Sequence, residues 1–416
     1  MATTSPSLAL PTPGSLFHII RRENGVTRAD LGRLTGISRA SISQRVDRLI
    51  ESGLVREASD QPSGGGRPPS SLVFASDIGV VLSADLGATH ARLAVTDLAG
   101  NLLAELAEDL DISSGPAILD TVEDQFGELL RRAGRRPEEV HGIGVGVPGP
   151  VEFEAGRPVN PPLMPGWDGY SIPDRLRRGF DVPILVDNDV NIMAVGEYFT
   201  TWSTKRDLLF VKVGTGIGCG IITEGEIYRG AHGAAGDIGH IRVVAEKETV
   251  CKCGNVNCLE AIAGGAAVAR AARELGCEAE NSREVVELAR AHQPEVVQLV
   301  RESGRVLGTV LAGLVNAFNP NVIVIGGDMA DAHEQLFAGV REVVYQRATP
   351  LATRHLEIIP SALGDRAGTT GAAVLAIEHV LQPQFIDEHW VGRRAKGASP
   401  RKRAAGKRAV AKSSAA

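Results

Sequence analysis

His240, Cys251, Cys253 and Cys258 supply four side chains of the types that zinc prefers. A Cys-x-Cys pair followed by four residues and a third Cys, with Gly254 allowing a tight turn, can close a tetrahedral Cys₃His site. The other reading of the same residues is three buried thiols and a surface histidine. Cys219 and Cys277 have no such neighbours and read as core or partly buried residues. A second group, Asp187-Asn188-Asp189-Val190-Asn191, follows an apolar run and opens a helix. A carboxylate there could take the proton from a sugar hydroxyl attacking a γ-phosphate. Helix capping by Asn188 or Asp189 would use the same residues. A third group is rich in glycine. Asp85-Leu86-Gly87-Ala88-Thr89 sits on a predicted strand-turn-strand, where backbone N–H groups can approach a phosphate. Thr89 adds a hydroxyl donor, and Asp85 can hold Mg²⁺ through water. Gly214-Thr215-Gly216-Ile217-Gly218 repeats the arrangement, and Gly326-Gly327-Asp328 follows another buried strand. Three Gly-rich strand ends suit a cleft with phosphate loops in two lobes, as in a nucleotide-dependent sugar kinase or its descendant.

Such groups need a scaffold that brings strand ends together, and from Val80 onward β and α segments alternate. Strands are predicted over 80–85, 91–97, 142–147, 184–187, 208–213, 218–223 and 322–325, with helices over 118–132, 191–199, 283–292 and 296–318. Chain-local strand pairs mixed with helical crossovers favour an α/β protein of two similar lobes, over about 80–200 and 201–382.

The region before Val80 has a different texture. Residues 1–14, rich in Pro, Ser and Thr, read as a flexible leader. Three helical stripes follow: Leu16, Ile19 and Ile20; Leu31 and Leu34; and Ile42, Val46, Leu49 and Ile50. Thr27 and Ser38 are plausible N-caps, Asp30 completes a capping box after Thr27, and Gly36 marks a turn. Two short strands, 54–57 and 71–74, flank a Gly/Pro-rich stretch. Three helices and a two-stranded wing outline a winged helix-turn-helix over 15–75. Its recognition helix starts at Ser38 and presents Arg39, Ser41, Gln44, Arg45 and Arg48, side chains that can read base edges in a major groove. Arg67 lies in the wing between Gly66 and Pro68, where it could enter a minor groove.

Charge separates the same regions. Residues 1–75 hold nine arginines against six acids, and residues 393–416 hold nine Lys/Arg and no acid. With the whole chain at −6, the middle carries −18. An acidic body with basic ends directs any polyanion to the ends. Residues 383–416 read as a basic, Ala/Lys/Arg-rich disordered tail. With 43% hydrophobic residues the chain can bury large cores. No apolar run approaches the roughly 18–20 residues of a membrane helix. Five cysteines, three of them crowded together, fit a reducing compartment, and the expected location is cytoplasmic.

The stretches ADLGATHARLAVTDLAG, GVGVPGPV, DNDVN, GTGIGCGII, GAAGDIGHIRV and CKCGNVNCLE resemble those of the ROK family (repressors, open reading frames, kinases). Fused to a winged helix-turn-helix, the chain is similar to that family's xylose- and N-acetylglucosamine-type repressors over about residues 15–380. The resemblance implies a two-lobed actin/hexokinase-like domain over 76–382. It implies that Asn188 and Asp189 contact sugar, with Asp189 the base of any transfer. It further implies sugar contacts from Asp237, His240 and Glu260, with His240 shared by a structural zinc. Nucleotide would meet Asp85, Gly87, Thr89, Gly214, Thr215, Gly216, Gly326 and Gly327. Three positions depart from the family pattern: Ala88 replaces a glycine of the phosphate loop, Asp237 is one methylene shorter than the usual Glu, and Asn257 replaces a Gly between cysteines.

These features together predict a sugar-responsive, DNA-binding transcription regulator, and the resemblance implies a repressor of carbohydrate genes. It would act as a homodimer or dimer of dimers on operator DNA, with a sugar or sugar phosphate as effector. The alternatives are an ATP/Mg²⁺-dependent sugar kinase carrying a DNA-binding head, and a sugar-independent DNA-binding protein whose lobes serve assembly alone.

Overall fold

The structure is a computed structural model that describes residues 11–58, 70–88, 90–332 and 334–392. The chain forms two compact units: residues up to Ala75 together with those from Leu381 onward, and Ser76–Val380. No helix among the described residues is long and apolar enough to cross a membrane.

In the first unit, α1 (Pro13–Glu23) starts two residues earlier than expected. Thr12 caps it by accepting the Ser15 N–H, and Pro13 fits the first turn, where no N–H is needed. A two-residue strand, β1 (Val26–Thr27), leads into α2 (Arg28–Thr35), whose capping box joins Thr27 and Asp30. Gly36 ends α2 at a φ of 71°, and α3 (Arg39–Ser52) follows behind the Ser38 cap. Leu16, Phe17, Ile20, Leu31, Ile42, Val46 and Leu49 are fully buried. Leu34, expected beside Leu31, is instead 58% exposed. Strands β2 (Val55–Ala58) and β3 (Ser71–Phe74) form the wing, and β1 adds to its edge in the order β1-β3-β2.

The first residues of the predicted disordered tail are ordered in helical turns. Residues Pro383–Phe385 (called α14 below) and Ile386–Trp390 are helical and belong to the first unit. The N–H of Gly14 donates to Asp387 Oδ1 at 2.8 Å. A Cβ on Gly14 would lie 2.2 Å from the Pro383 carbonyl oxygen, so only glycine allows α1 this close to α14.

The second unit holds two sheets of the same topology. In the first, β4 (Val80–Leu86), β5 (His90–Asp97) and β6 (Leu102–Asp109) run as an antiparallel meander. The helix α4 (Ile118–Arg132) crosses to β7 (Val140–Val147), which pairs parallel to β4. A small hairpin, β8 (Val151–Glu152) with β9 (Arg157–Pro158), and the short α5 (Ile172–Leu176) precede β10 (Ile184–Asn188), parallel to β7. Then α6 (Asp189–Glu197) leads across to the second sheet. Its meander is β11 (Leu208–Val213), β12 (Ile217–Thr223) and β13 (Glu226–Ile227). After α7 (Leu259–Ala263), α8 (Gly265–Glu274), α9 (Ser282–Arg290) and α10 (Pro294–Phe318) comes β14 (Val322–Gly326), parallel to β11. Helices α11 (Glu334–Arg347) and α12 (Pro350–Thr353) lead to β15 (Glu357–Pro360), parallel to β14. The orders β6-β5-β4-β7-β10 and β13-β12-β11-β14-β15 correspond strand for strand.

The lobe boundary differs from the expected one. The last helix of the unit, α13 (Ala367–Val380), returns to the first sheet and does not stay with the second lobe. A Cβ on Gly144 of β7 would fall 1.9 Å from the Ala372 carbonyl oxygen, so backbone meets backbone there. Nine residues of α13 are buried, and α6 packs against both α13 and the second sheet through Val190, Ala194 and Tyr198. These two helices carry the chain between the lobes.

Candidate functional site

The cleft between the two lobes has a volume of about 800 Å³, and strand ends from both sheets open on it. At its floor β10 gives way to α6. Asn188 caps that helix, its Oδ1 accepting the N–H groups of Val190 (2.9 Å) and Asn191 (3.2 Å). Its Nδ2 donates to the Gly149 carbonyl at 3.0 Å, which fixes the amide. The capping reading of Asn188 is therefore correct, and the residue still lines the cleft. Asp187 beneath it is buried, ion-paired to Arg229 at 2.8 Å, and accepts from Asn191 Nδ2. Arg229 in turn lies over the Phe153 ring, 3.7 Å from its centroid.

Asp189 is 5% exposed and lines the cleft. Its Oδ1 accepts the Val190 N–H, and its Oδ2 takes the ammonium of Lys212 at 2.6 Å. Sequence reasoning passed over Lys212, a lone cation in the apolar strand LLFVKV. Burial pulls its pKa down, but Asp189 and Asp85 outweigh burial and hold it above the ordinary lysine value.

The glycine loops occupy equivalent turns of the two lobes. Gly87 closes the β4–β5 turn, its N–H donating to the His90 carbonyl at 2.8 Å. Asp85 and Ala88 line the cleft; Thr89 lies outside the described residues. Gly214, Thr215 and Gly216 form the β11–β12 turn and line the cleft opposite, with Gly327 and Asp328 from the end of β14. Gly87 and Gly326 stand behind the lining, and a Cβ on Gly326 would fall 2.6 Å from the Phe210 ring.

Burial pushes the Asp85 carboxyl up to about 7, only partly offset by Lys212. A carboxyl whose folded pKa lies above its unfolded value, near 3.9, takes up a proton on folding. It therefore costs stability as pH rises from about 4 through 7. Asp85→Asn is expected to flatten that fall, so that urea midpoints of the variant and the unaltered protein converge at pH 5 and separate at pH 8.

On the far wall, His240 ends a single helical turn, Ile238–His240, with Asp237 just before it. Its Nε2 lies 3.8 Å from Asp237 Oδ1, and its Nδ1 faces Cys251 Sγ at 3.6 Å and Glu260 Oε1 at 3.8 Å. Cys253 and Cys258 are 3.6 Å apart, and the four ligand atoms of His240, Cys251, Cys253 and Cys258 all lie within 4.8 Å of one another. The two separations of 3.6 Å match the edges of a tetrahedron with bonds of about 2.0–2.3 Å, so the chemistry and grouping of the four residues fit a zinc ion. Gly254 turns the loop at a φ of 88°, and Asn257 sits at 58°, the left-handed region that glycine favours. Asn257 is tolerated there because its Oδ1 accepts the Thr249 N–H at 2.8 Å. Asp237, His240, Glu260 and two of the cysteines line the same cleft as Asn188 and Asp189.

In the first unit Ser38, Arg39, Gln44 and Arg48 are exposed on α3, while Ser41 and Arg45 are half-buried. The Arg45 guanidinium donates back to the Ser41 carbonyl at 3.2 Å. Arg67 lies outside the described residues.

The ROK family model matches residues 81–379, and the MarR family model matches residues 14–64. The chain belongs to the ROK family. It is 32% identical over 381 residues to a putative xylose repressor of Caldicellulosiruptor sp. (strain Rt8B.4), covering 87% of this chain and 94% of that one. A glucokinase of Halalkalibacterium halodurans is 30% identical over 70% of this chain and 93% of its own length. The crystal structure of a ROK family transcriptional regulator, a homolog of the E. coli MLC protein, shares the fold with a TM-score of 0.78. It is 24% identical, over 91% of this chain and 98% of that one. This ROK protein joins an actin/hexokinase-like domain to a winged helix and is a DNA-binding regulator by its build.

Proposed function

We propose that this ROK protein is a cytoplasmic, sugar-responsive repressor of carbohydrate genes, in which sugar bound in the cleft sets the affinity of the winged head for operator DNA. The observation that carries the reading is one chain holding both a reading helix and a cleft on which Asn188, Asp189, Asp237, His240 and Glu260 converge. Five polar side chains around a pocket of this size can take the hydroxyls of one monosaccharide or its phosphate. Zinc would be held by His240, Cys251, Cys253 and Cys258. It would supply a fixed crosslink of the loop and leave His240 Nε2, 3.8 Å from Asp237 Oδ1, to meet a sugar hydroxyl. Two heads on a homodimer would read two half-sites, gaining affinity that one small head lacks.

The test uses the full chain. Sugars and sugar phosphates are screened by thermal shift, and any hit is added to binding assays with duplexes selected from a random pool. One ligand should raise Tm and also change DNA affinity. If no ligand that raises Tm alters DNA binding, the coupling is refuted. In the same assay Gln44→Ala and Arg48→Ala should each lose about 1–3 kcal/mol of discrimination between selected and scrambled DNA. Equal preference in the variants would remove α3 from base reading.

A second reading, an ATP-dependent sugar kinase with a DNA-binding head, is favoured by Asp189 standing in one cleft with the Gly214–Gly216 turn. Ala88, whose methyl crowds the approach of a phosphate to the first-lobe turn, weighs against it. Sugar-dependent ADP release separates the two.

A further inference from the structure

The side chains of β11 alternate between two cores. Leu209, Val211 and Val213 enter one, and Leu208 and Phe210 enter the other, against α6. Lys212 has the parity of the second set, so an ammonium ends a row of apolar side chains. Its partners across the sheet are both glycines, Gly218 on β12 and Gly326 on β14. Neither carries a side chain that would compete for the space beside the lysine stem. The stem runs to Asp189, where Nζ meets Oδ2 at 2.6 Å.

Two more carboxyl groups act on the same ammonium, Asp85 from the end of β4 and Asp328 just after β14. Asp85 is more than nine-tenths buried, lines the cleft, and its Oδ1 has no hydrogen-bond partner. Asp328 is held by Ser282 Oγ at 2.7 Å and faces Arg283 Nε at 3.3 Å. Carboxylates gathered at strand ends above glycine turns are the oxygen donors that a divalent cation on a nucleotide's phosphates requires. Here a monovalent charge fixed to the sheet stands among them.

We propose that Lys212 is a specificity-determining residue that keeps a divalent cation, and with it a nucleoside triphosphate, out of the cleft. The inference rests on the cleft being a sugar reader and names the residue that makes it one. With Oδ2 engaged by the ammonium and Oδ1 by the Val190 N–H, Asp189 remains an acceptor for a sugar hydroxyl. A divalent ion entering beside Asp85 and Asp189 would meet the ammonium at short range and have to displace it. Removing the charge should turn the same carboxylates into a cation site.

The probe is Mn²⁺ alone, followed by the loss of its free electron paramagnetic signal and by its effect on Tm, on the full chain loaded with zinc. The unaltered protein and Lys212→Arg should bind no Mn²⁺ in the cleft and show no Tm response. Lys212→Met should bind about one Mn²⁺ per chain, at least about tenfold tighter than any background sites, with Tm rising as Mn²⁺ is added. Lys212→Met/Asp85→Asn should fold with less carboxylate repulsion and lose that site, which separates it from surface acids. Mn²⁺ binding by the unaltered protein that is abolished in Asp85→Asn overturns the proposal. So does a folded Lys212→Met that binds no more Mn²⁺ than the double variant. If Lys212→Met does not fold alone, folding rescued by Mn²⁺ supports the proposal, and failure to be rescued while the double variant folds overturns it. Sugar binding, read by thermal shift without Mn²⁺, tests the sensor reading independently, so either can fail alone.

Discussion

Cys253→Ser is expected to release the metal and weaken sugar binding by at least about 10–100-fold, the usual cost when support for a metal-linked ligand is lost. Cys253 and Cys258 form one edge of the four-ligand cluster, and His240 with Cys251 forms another. Besides the cluster, the loop that carries the cysteines is held by backbone hydrogen bonds such as Asn257 N–H to the Thr249 carbonyl and Val243 N–H to the Asn257 carbonyl, both at 2.8 Å. Its bridges are the isolated pairs Arg242 with Cys258 and Val250 with Val256, and Cys253 itself is exposed. A zinc ion there would contribute folding free energy to the loop directly. Without it, His240 would lose the partner that fixes its ring, and Glu260, 3.3 Å from Cys251 Sγ, would lose a fixed neighbour. Metal analysis should find one zinc per chain in the unaltered protein and less than one in the variant, with sugar-induced thermal shifts falling in parallel. Stoichiometric zinc in Cys253→Ser, or sugar binding unchanged after the metal is gone, would contradict this account.

What could be read from the sequence was local. The caps at Thr27 and Ser38 are contacts between residues three apart, and the Cys/His cluster owes its legibility to the tight spacing of Cys251, Cys253 and Cys258. Asn188 and Asp189 were legible because a polar pair ends an apolar run. The features that escaped depend on pairings distant in the chain. Lys212 acquires its role from α6 on one side and from glycines of β12 and β14 on either flank. The helix α13 is buried nearly all round, so it carries no apolar stripe to show which sheet it covers. Its glycines and alanines become meaningful only when set against Gly144 and Ile192 of the first lobe. Likewise Pro383–Trp390 comprises turns too short for periodicity to register, and they gain their place from α1, at the other end of the chain. Leu34 shows the converse error, since apolar spacing suggested burial that no neighbour provides.

Asp189→Asn is expected to abolish sugar binding and to destabilise the second unit by about 3–5 kcal/mol, the cost of breaking one side of a buried ion pair. The two effects have different origins. The amide can still hydrogen-bond, but its Oδ1 must choose between the Val190 N–H and the Lys212 ammonium, while its NH₂ presents donors where the carboxylate presented an acceptor. A sugar hydroxyl then meets the wrong polarity. The ammonium, 24% exposed at its side chain, is left with Asp328 and with Asp85, whose carboxyl burial pushes up to about 7 in the unaltered protein. Its charge is thus only partly matched at neutral pH and better matched as pH rises and Asp85 ionises. The deficit in urea midpoint should therefore shrink from pH 6 to pH 8, and a loss independent of pH would place the cost elsewhere. The sensor and kinase readings separate in the same experiment. A sensor loses ligand binding in Asp189→Asn and shows no sugar-dependent ADP release before or after the change. A kinase would release ADP with its sugar in the unaltered protein and stop in the variant, because its base would be gone. That second pattern would overturn both the sensor reading and the exclusion of a divalent cation by Lys212.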